Sequence, residues 1–202
     1  MPMTVDFIYD FGSPNAYLSH CVIPLIESRA DIKFVYQPAL LGGIFKATNN
    51  VSPAVSLQGI RNKPEYSQLE TQRWLQRYPV QNYERNPHFP VNTLMLMRGA
   101  VYAQQTDWYA DYIEAMFTCM WGQPRKMDDP DVVSAALDEF NLPRDEILAA
   151  VQQPEVKQSL MDQTSAAVER GAFGSPTFFV GDEIYFGKEK LRDIEELAGT
   201  QA

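Results

Sequence analysis

The sequence predicts an α/β fold in which strands from both ends of the chain form one sheet and the middle of the chain is helical. Three observations predict it. A strand, helix and strand pattern occupies residues 4–37, and two short strands and a closing helix occupy residues 177–197. Between about residues 40 and 150, helical patterns recur without a convincing strand. If the N-terminal strands are parallel, their crossover is expected to be right-handed.

The N-terminal unit begins with an apolar run, residues 4–10, that ends at a Gly-Ser-Pro turn. Pro14 suits the first position of a helix because its missing N–H is not needed there, and Ser13 before it is a favoured N-cap. We expect this helix to be kinked at Pro24. A second strand is expected over residues 32–37, stopped by the proline that follows.

The middle of the chain contains several candidate helices separated by proline-bearing loops. The candidates are residues 69–75, 94–102, 109–120, 132–140 and 147–151. We interpret residues 41–153 as an all-helical insertion domain, and residues 1–40 and 154–202 as the domain that receives it.

The C-terminal segment begins with a long helix over residues 154–170, which Gly171 is expected to end. Two apolar-rich strands follow, and Gly181-Asp182 between them is the signal of a two-residue hairpin. Together with the N-terminal unit these strands make a four-stranded mixed sheet. The sequence therefore predicts a thioredoxin-like fold interrupted by an inserted all-helical domain.

Composition and charge exclude several functional classes. Seventeen Lys and Arg against 26 Asp and Glu give a net charge of −9, the wrong sign for binding nucleic acid or an anionic membrane. No apolar run approaches the roughly 18 residues that span a bilayer, and no Lys or Arg precedes Arg29, whereas a secretory signal begins with a basic region. Cys21 and Cys119 show neither disulfide nor zinc spacing. We expect a cytoplasmic protein without metal, nucleic-acid or membrane partners.

Short motifs spread over nearly the whole chain carry a family resemblance. They are Asp10-Phe11-Gly12-Ser13-Pro14-Asn15-Ala16-Tyr17-Leu18, Asn50 with Pro53, Lys63 with Tyr66, Arg73-Trp74, Asn92-Thr93, Met97-Arg98-Gly99-Ala100, Phe173-Gly174-Ser175-Pro176-Thr177-Phe178-Phe179-Val180-Gly181-Asp182, and Phe186-Gly187. In this order they resemble the family of 2-hydroxychromene-2-carboxylate isomerases and kappa-class glutathione S-transferases, whose fold is similar to that of the disulfide oxidoreductase DsbA. The isomerase branch fits better, mainly through residues 92–100.

Ser13 stands where a thioredoxin-like oxidoreductase has its first cysteine, and three residues later the chain has Ala16. Disulfide exchange needs thiols at both positions, so that activity is excluded. From the sequence alone, Ser13 is an N-cap. The resemblance implies that its hydroxyl also donates a hydrogen bond to the sulfur of glutathione and favours the thiolate. We do not assign Ser13 as a nucleophile, because no His or Lys adjacent in sequence would deprotonate it.

The resemblance implies that the chain's C-terminal part binds glutathione. Ser175-Pro176 resembles the loop whose proline is cis in thioredoxin folds, and the residue before that proline would offer backbone groups to the cysteinyl unit. Phe186 and Gly187 lead into the last helix, where Glu189 would pair with the γ-glutamyl ammonium or simply favour the helix N-terminus. Lys188 stands where the family has a small polar residue, and its contact with glutathione is left open.

Two further glutathione contacts are implied within the insertion. Lys63 is expected to reach glutathione at its glycyl carboxylate, and Asn50 to line the site. His20 and His88 have no partners at ligand spacing, and we interpret both as structural.

The implied substrate is a small aromatic carboxylate, and several residues are candidates for binding it. The expected contacts are Phe45, Lys46, Tyr83, Arg85 and Asn92, with Trp121 as a further aromatic wall, and the basic candidates for the carboxylate are Lys46, Arg61, Arg85 and Arg98. The sequence does not choose among these cations. It also leaves open whether Asn92-Thr93 turns a polar group into the cleft or caps the next helix.

The resemblance implies a glutathione-dependent isomerase that interconverts 2-hydroxychromene-2-carboxylate and trans-o-hydroxybenzylidenepyruvate in aromatic hydrocarbon catabolism. A homodimer is the expected assembly. Two alternatives stay open. One is a kappa-like glutathione transferase or peroxidase acting on other electrophiles, and the other is a non-catalytic module that binds glutathione or a peptide.

Overall fold

The computed structural model describes residues 2–200 and contains the expected four-stranded mixed sheet. Its strands are β1 Met3–Tyr9, β2 Ile32–Pro38, β3 Thr177–Val180 and β4 Glu183–Phe186. The order across the sheet is β2-β1-β3-β4; β1 and β2 are parallel, and β3 is antiparallel to both β1 and β4. The predicted thioredoxin-like topology is confirmed.

Helices fill the chain between β2 and β3 and flank the sheet. They are α1 Pro14–His20, α2 Ile23–Glu27, α3 Leu41–Thr48, α4 Pro53–Ser56, α5 Lys63–Arg77, α6 Leu94–Ala103, α7 Tyr109–Phe117, α8 Pro130–Glu139, α9 Arg144–Ala150, α10 Pro154–Glu169 and α11 Leu191–Thr200. A π-helical segment, Thr118–Gly122, continues α7, and a 3₁₀ turn, Lys188–Lys190, precedes α11. The described residues between 39 and 176 form no strand. The domain boundaries at 40 and 154 stay a prediction.

The structure corrects the helix pattern at several places, and the short α4 was not predicted. The first predicted helix is two helices, because Pro24 lies in the first turn of α2 and the chain breaks before it instead of bending. The predicted helix over 109–120 ends at Phe117 and continues as the π-helical segment. Helix α3 was not predicted, and its Gly43 is tightly packed: an added Cβ there would lie 3.0 Å from the Thr164 side chain of α10.

One aromatic core joins the sheet to the helical segment. The rings of Phe7 on β1 and Phe178 on β3 are stacked, with centroids 5.2 Å apart. From Tyr9 the rings continue to Phe11 and on to Phe117 of α7, at centroid separations of 5.3 and 4.9 Å. Because these rings are fully buried, the helical segment and the sheet share a core.

Asp10, directly after β1, ties together the segments that surround the end of this strand. Its side chain is 1% exposed. Oδ1 accepts hydrogen bonds from the Gly12 N–H and the Thr93 hydroxyl, and Oδ2 accepts one from the Leu41 N–H, each at 2.7 Å. The Asp10 N–H donates to the Ser175 hydroxyl at 3.2 Å. Burial raises the pKa of Asp10, and the three donors oppose that rise.

Substituting Gly99 in α6 tests how tightly the helical segment is packed. An added Cβ would lie 2.1 Å from the Tyr112 Oη, which is buried and donates to the Leu96 carbonyl. We expect Gly99→Ala to lower the free energy of unfolding in urea by about 1–3 kcal/mol through overpacking. Gly42→Ala is the matched control, since nothing lies within 4 Å of its added Cβ, and should raise stability by about 0.5 kcal/mol. Equal effects of the two variants would contradict the packing.

The buried carboxyl of Asp10 predicts an unusual pH dependence of stability. Its pKa is raised in the folded state, so the folded protein binds this proton more tightly than the unfolded chain. The resulting stabilisation is fully present below the unfolded pKa of about 4 and is lost as the pH rises through the folded value. In urea unfolding, wild type should therefore gain stability relative to Asp10→Asn on acidification from about pH 7 towards about pH 4.

Asp107→Asn, at an exposed position, controls for the loss of one carboxylate and should show no such gain. If the difference in the free energy of unfolding between wild type and Asp10→Asn stays constant with pH, the raised pKa of Asp10 is refuted.

Candidate active site

Ser13 and Ser175 meet where the N-terminus of α1 faces the loop before β3. Ser13 is 4% exposed, and its Oγ accepts a hydrogen bond from the Ala16 N–H at 3.2 Å, as an N-cap does. The same hydroxyl donates to the Ser175 carbonyl at 2.8 Å. The Ser175–Pro176 bond is cis, as expected. The serine hydroxyl therefore bridges two segments 162 residues apart in sequence.

Backbone and side-chain contacts hold the loop around Pro176. The Gly187 N–H donates to the Pro176 carbonyl at 3.0 Å, and the Thr177 hydroxyl donates to the Gly174 carbonyl at 2.8 Å. The Phe186 ring covers Gly174 so closely that an added Cβ would lie 2.7 Å from it. Only glycine fits at that position without moving the ring.

Asn50 and Phe186 reach the same loop from its outer side. The Asn50 side-chain amide donates to the Phe173 carbonyl at 2.8 Å, and its oxygen accepts from the Val51 N–H at 2.8 Å. The rings of Phe173 and Phe186 lie 4.4 Å apart, and both are exposed. Two predicted glutathione-binding residues are thus placed beside Ser175 and Pro176.

Lys188 and Glu189 lie in the 3₁₀ turn, which packs against α1. Lys188 is 4% exposed, and its ammonium pairs with the Glu189 carboxylate and lies 5.2 Å from the centre of the Trp74 ring. Glu189 remains exposed, but its charge already has a partner. The acid expected to receive a γ-glutamyl ammonium is therefore neutralised within the chain.

Tyr83 lies against the helix that Ser13 begins, and Arg85 lies close to Tyr83. The ring of Tyr83 stacks on that of Tyr17 in α1, with centroids 6.3 Å apart, and the Tyr17 hydroxyl donates to the Asn82 carbonyl. Burial raises the pKa of Tyr83, and the charge of Arg85 opposes this. Of these two substrate candidates, Tyr83 is therefore placed at α1, and Arg85 is placed near the Tyr83 ring.

Other predicted residues are not joined to Ser13 by any hydrogen bond or ion pair among the described residues. Lys63 begins α5 with its ammonium 5.9 Å from the centre of the Tyr66 ring. On α3, Phe45 is half-buried and Lys46 is exposed. Asn92 is exposed, and its side-chain oxygen accepts the Leu94 N–H at 3.0 Å, which supports the capping alternative.

Two interpretations of single residues are corrected. Trp121 does not wall a cleft, because it is 1% exposed and its indole N–H donates to the Phe11 carbonyl at 2.7 Å. Thr93 precedes α6, but its hydroxyl forms no cap and instead donates to Asp10.

Asp10 and Thr93 hold the site in place. Asp10 was not predicted to contribute to it, and for Thr93 the sequence left open a cap or a residue of the cleft. A sequence signal did exist for Asp10, since it begins the Asp-Phe-Gly-Ser-Pro motif that carries the family resemblance. No comparable signal marked the distant Thr93 as its partner.

The chain's own thiols are poor sources of thiolate. Burial raises the pKa of both Cys21 and Cys119 to about 11.

The described residues contain no group of three or more His, Cys, Asp or Glu side chains that could hold a metal ion. No described helix is long and apolar enough to cross a membrane.

Comparisons with known proteins find relatives that match nearly the whole chain. Among curated proteins, the 2-hydroxychromene-2-carboxylate isomerase of Pseudomonas putida is 27% identical over 199 residues, covering 98% of this chain and 95% of the relative. Human glutathione S-transferase kappa 1 is 23% identical over 221 residues, covering 100% and 93%. A solved structure of a 2-hydroxychromene-2-carboxylate isomerase superposes with a TM-score of 0.84 at 26% identity, covering 98% and 96%.

A family model described as a DSBA-like thioredoxin domain matches residues 4–198. The chain therefore belongs to the family of DSBA-like thioredoxin domains, and within it resembles the 2-hydroxychromene-2-carboxylate isomerases and the kappa-class glutathione transferases.

Proposed function

We propose that this protein is a glutathione-dependent isomerase that interconverts 2-hydroxychromene-2-carboxylate and trans-o-hydroxybenzylidenepyruvate. The observation that carries the proposal is the Ser13 hydroxyl, which lies at the start of α1 and donates to the carbonyl that precedes a cis proline. The similarity to isomerases of that name over nearly the whole chain supports the substrate.

The groups at the site fit the cysteinyl unit of glutathione. An extended peptide beside Ser175 would donate its N–H to the Ser175 carbonyl, as a strand edge accepts an added strand. That carbonyl now accepts the Ser13 hydroxyl at 2.8 Å. If the peptide N–H replaces the Ser13 hydroxyl as the donor to this carbonyl, the single proton of Ser13 becomes available for the sulfur. No buried polar group then loses its partner.

When bound, glutathione would supply a thiolate for reversible addition to the conjugated alkene of the ring-opened substrate; the double bond would become a single bond able to rotate, and elimination of the thiolate would restore the double bond in the other isomer. Ser13 donates its proton in a hydrogen bond to the sulfur and favours the thiolate. Lys46 or Arg85 holds the carboxylate of the substrate, and Phe45 and Tyr83 pack against its ring. Asp10 fixes the loop that carries Ser13, through the Gly12 N–H.

The proposal includes the setting of the enzyme. We place it in the cytoplasm as a homodimer acting in aromatic hydrocarbon catabolism. The family resemblance supports the assembly and the pathway, and the scarcity of cysteine supports a reducing compartment.

A second candidate is a glutathione transferase or peroxidase that acts on other electrophiles. The similarity to human glutathione S-transferase kappa 1 over the whole chain favours it. A non-catalytic glutathione-binding module is the remaining alternative, and it predicts binding without turnover.

Replacing Ser13 tests its role. Ser13→Ala should lower kcat/KM about 10- to 100-fold, the effect of one hydrogen bond to a charged group. It should also raise the pKa of the bound glutathione thiol, measured by thiolate absorbance. Ser19→Ala is the matched control, since this buried α1 serine donates only to the Asn15 carbonyl. Near-wild-type turnover and an unchanged thiol pKa in Ser13→Ala would refute the role.

A substrate comparison separates the candidate functions. We expect glutathione-dependent interconversion of the chromene and the benzylidenepyruvate, followed by absorbance, with glutathione recovered unchanged. Turnover of a generic aryl halide or a peroxide without chromene isomerisation would favour the transferase. Glutathione binding by calorimetry without turnover of any of them would favour the binding module.

A further inference from the structure

A groove lined by four arginine and four glutamate side chains lies beside the 3₁₀ turn, between α5 and α11. It consists of two cavities of about 640 and 590 Å³ that share Arg77 and Arg192 in their walls. The smaller cavity is also lined by Trp74 and by Glu189, the residue paired with Lys188. The groove therefore borders the candidate site at Glu189, and Ser13 is not among its lining residues.

The acidic residues of this groove are already paired. Glu70 pairs with Arg73, Glu189 with Lys188, Glu195 with Arg29, and Glu196 with Arg192. Arg77 has no acidic partner among residues 2–200. In a chain of net charge −9, an unpaired guanidinium at the junction of two cavities is a local positive charge available to a ligand.

Trp74 supplies a second, independent observation. It is 6% exposed, lines the smaller cavity, and its indole N–H has no hydrogen-bond partner among the described residues. Buried polar groups are almost always hydrogen-bonded, so this unpartnered N–H, on a side chain that lines the cavity, is a feature that the described residues leave unexplained.

We propose that this groove binds a carboxylate of a small organic ligand, with Arg77 as the cation that receives it. A guanidinium presents two parallel N–H groups that match the two oxygens of a carboxylate. Glu189 also lines the groove, but it is not available as the partner of Arg77. Its carboxylate is held by Lys188, and a lysine with so little exposure must keep a partner. The carboxylate comes from the thiol cofactor or from the substrate, an attribution that rests on the proposed function.

Calorimetric titrations of the full chain test the proposal with three probes: glutathione, cysteinylglycine and benzylidenepyruvate. Arg77→Gln should weaken binding of at least one probe about tenfold or more, as expected for a lost charge-assisted hydrogen bond. Arg77→Lys keeps the charge and should recover part of the affinity. Lys157→Gln on α10 removes a cation outside the groove and should bind all three probes as wild type does.

The probes distinguish the sources of the carboxylate. A loss with glutathione that is absent with cysteinylglycine assigns the γ-glutamyl carboxylate, and a loss with both assigns the glycyl carboxylate. A loss confined to benzylidenepyruvate assigns the substrate. The indole signal of Trp74 in ¹⁵N spectra, identified with Trp74→Phe, should shift on binding in wild type and not in Arg77→Gln.

Equal affinities of wild type and Arg77→Gln for all three probes would overturn the proposal, as would binding of none of them by wild type. Wild type that binds benzylidenepyruvate through Arg77 but does not bind glutathione would support the groove and overturn the proposed cofactor. If Arg77→Gln changes the affinity for neither glutathione nor benzylidenepyruvate while glutathione still binds, the proposed cofactor is supported and the groove is overturned.

Discussion

The buried carboxylate of Asp10 is the contact on which the geometry of the site depends. Burying a charge without a basic partner is unfavourable, and the rise in the pKa of Asp10 reflects that cost. Three donors at 2.7 Å offset it, and they come from the Ser13 loop, from the start of α3 and from Thr93 before α6. The helical segment is therefore positioned against the sheet at the same residue that orients the loop bearing Ser13.

Local pairing explains how an acidic chain can serve anionic ligands. Several basic groups around the 3₁₀ turn and the groove are already neutralised, as Lys188 is by Glu189 and Arg29 is by Glu195. Exposed pairs of this kind contribute little to stability, whereas the buried ammonium of Lys188 requires its partner. The positive charge that is available to an anionic ligand is set by unpaired groups such as Arg77, rather than by the net charge of the protein.

Sequence patterns predicted the sheet well because each strand is an apolar run bounded by proline, glycine or a polar turn. They missed α3 because Gly42 and Gly43 weaken its intrinsic preference for helix, while packing against α10 stabilises it. They also missed the role of Asp10, whose partners are up to 165 residues away and leave no periodic signal. Ser13 could be identified as a helix cap from its neighbours, but its contact with Ser175 was accessible only through the family resemblance.

The two interpretations of Ser13, a helix cap and a donor to sulfur, use different parts of one hydroxyl group. The cap uses a lone pair on Oγ, which accepts a hydrogen bond from the Ala16 N–H. The single hydroxyl proton is not used by the cap and can be donated to another acceptor. In the structure that acceptor is the Ser175 carbonyl, the group beside which a bound cysteinyl unit would lie. Because the capping hydrogen bond does not use the hydroxyl proton, Ser13 can donate that proton to a different acceptor while it still caps α1. The structural role is therefore compatible with the proposed catalytic role.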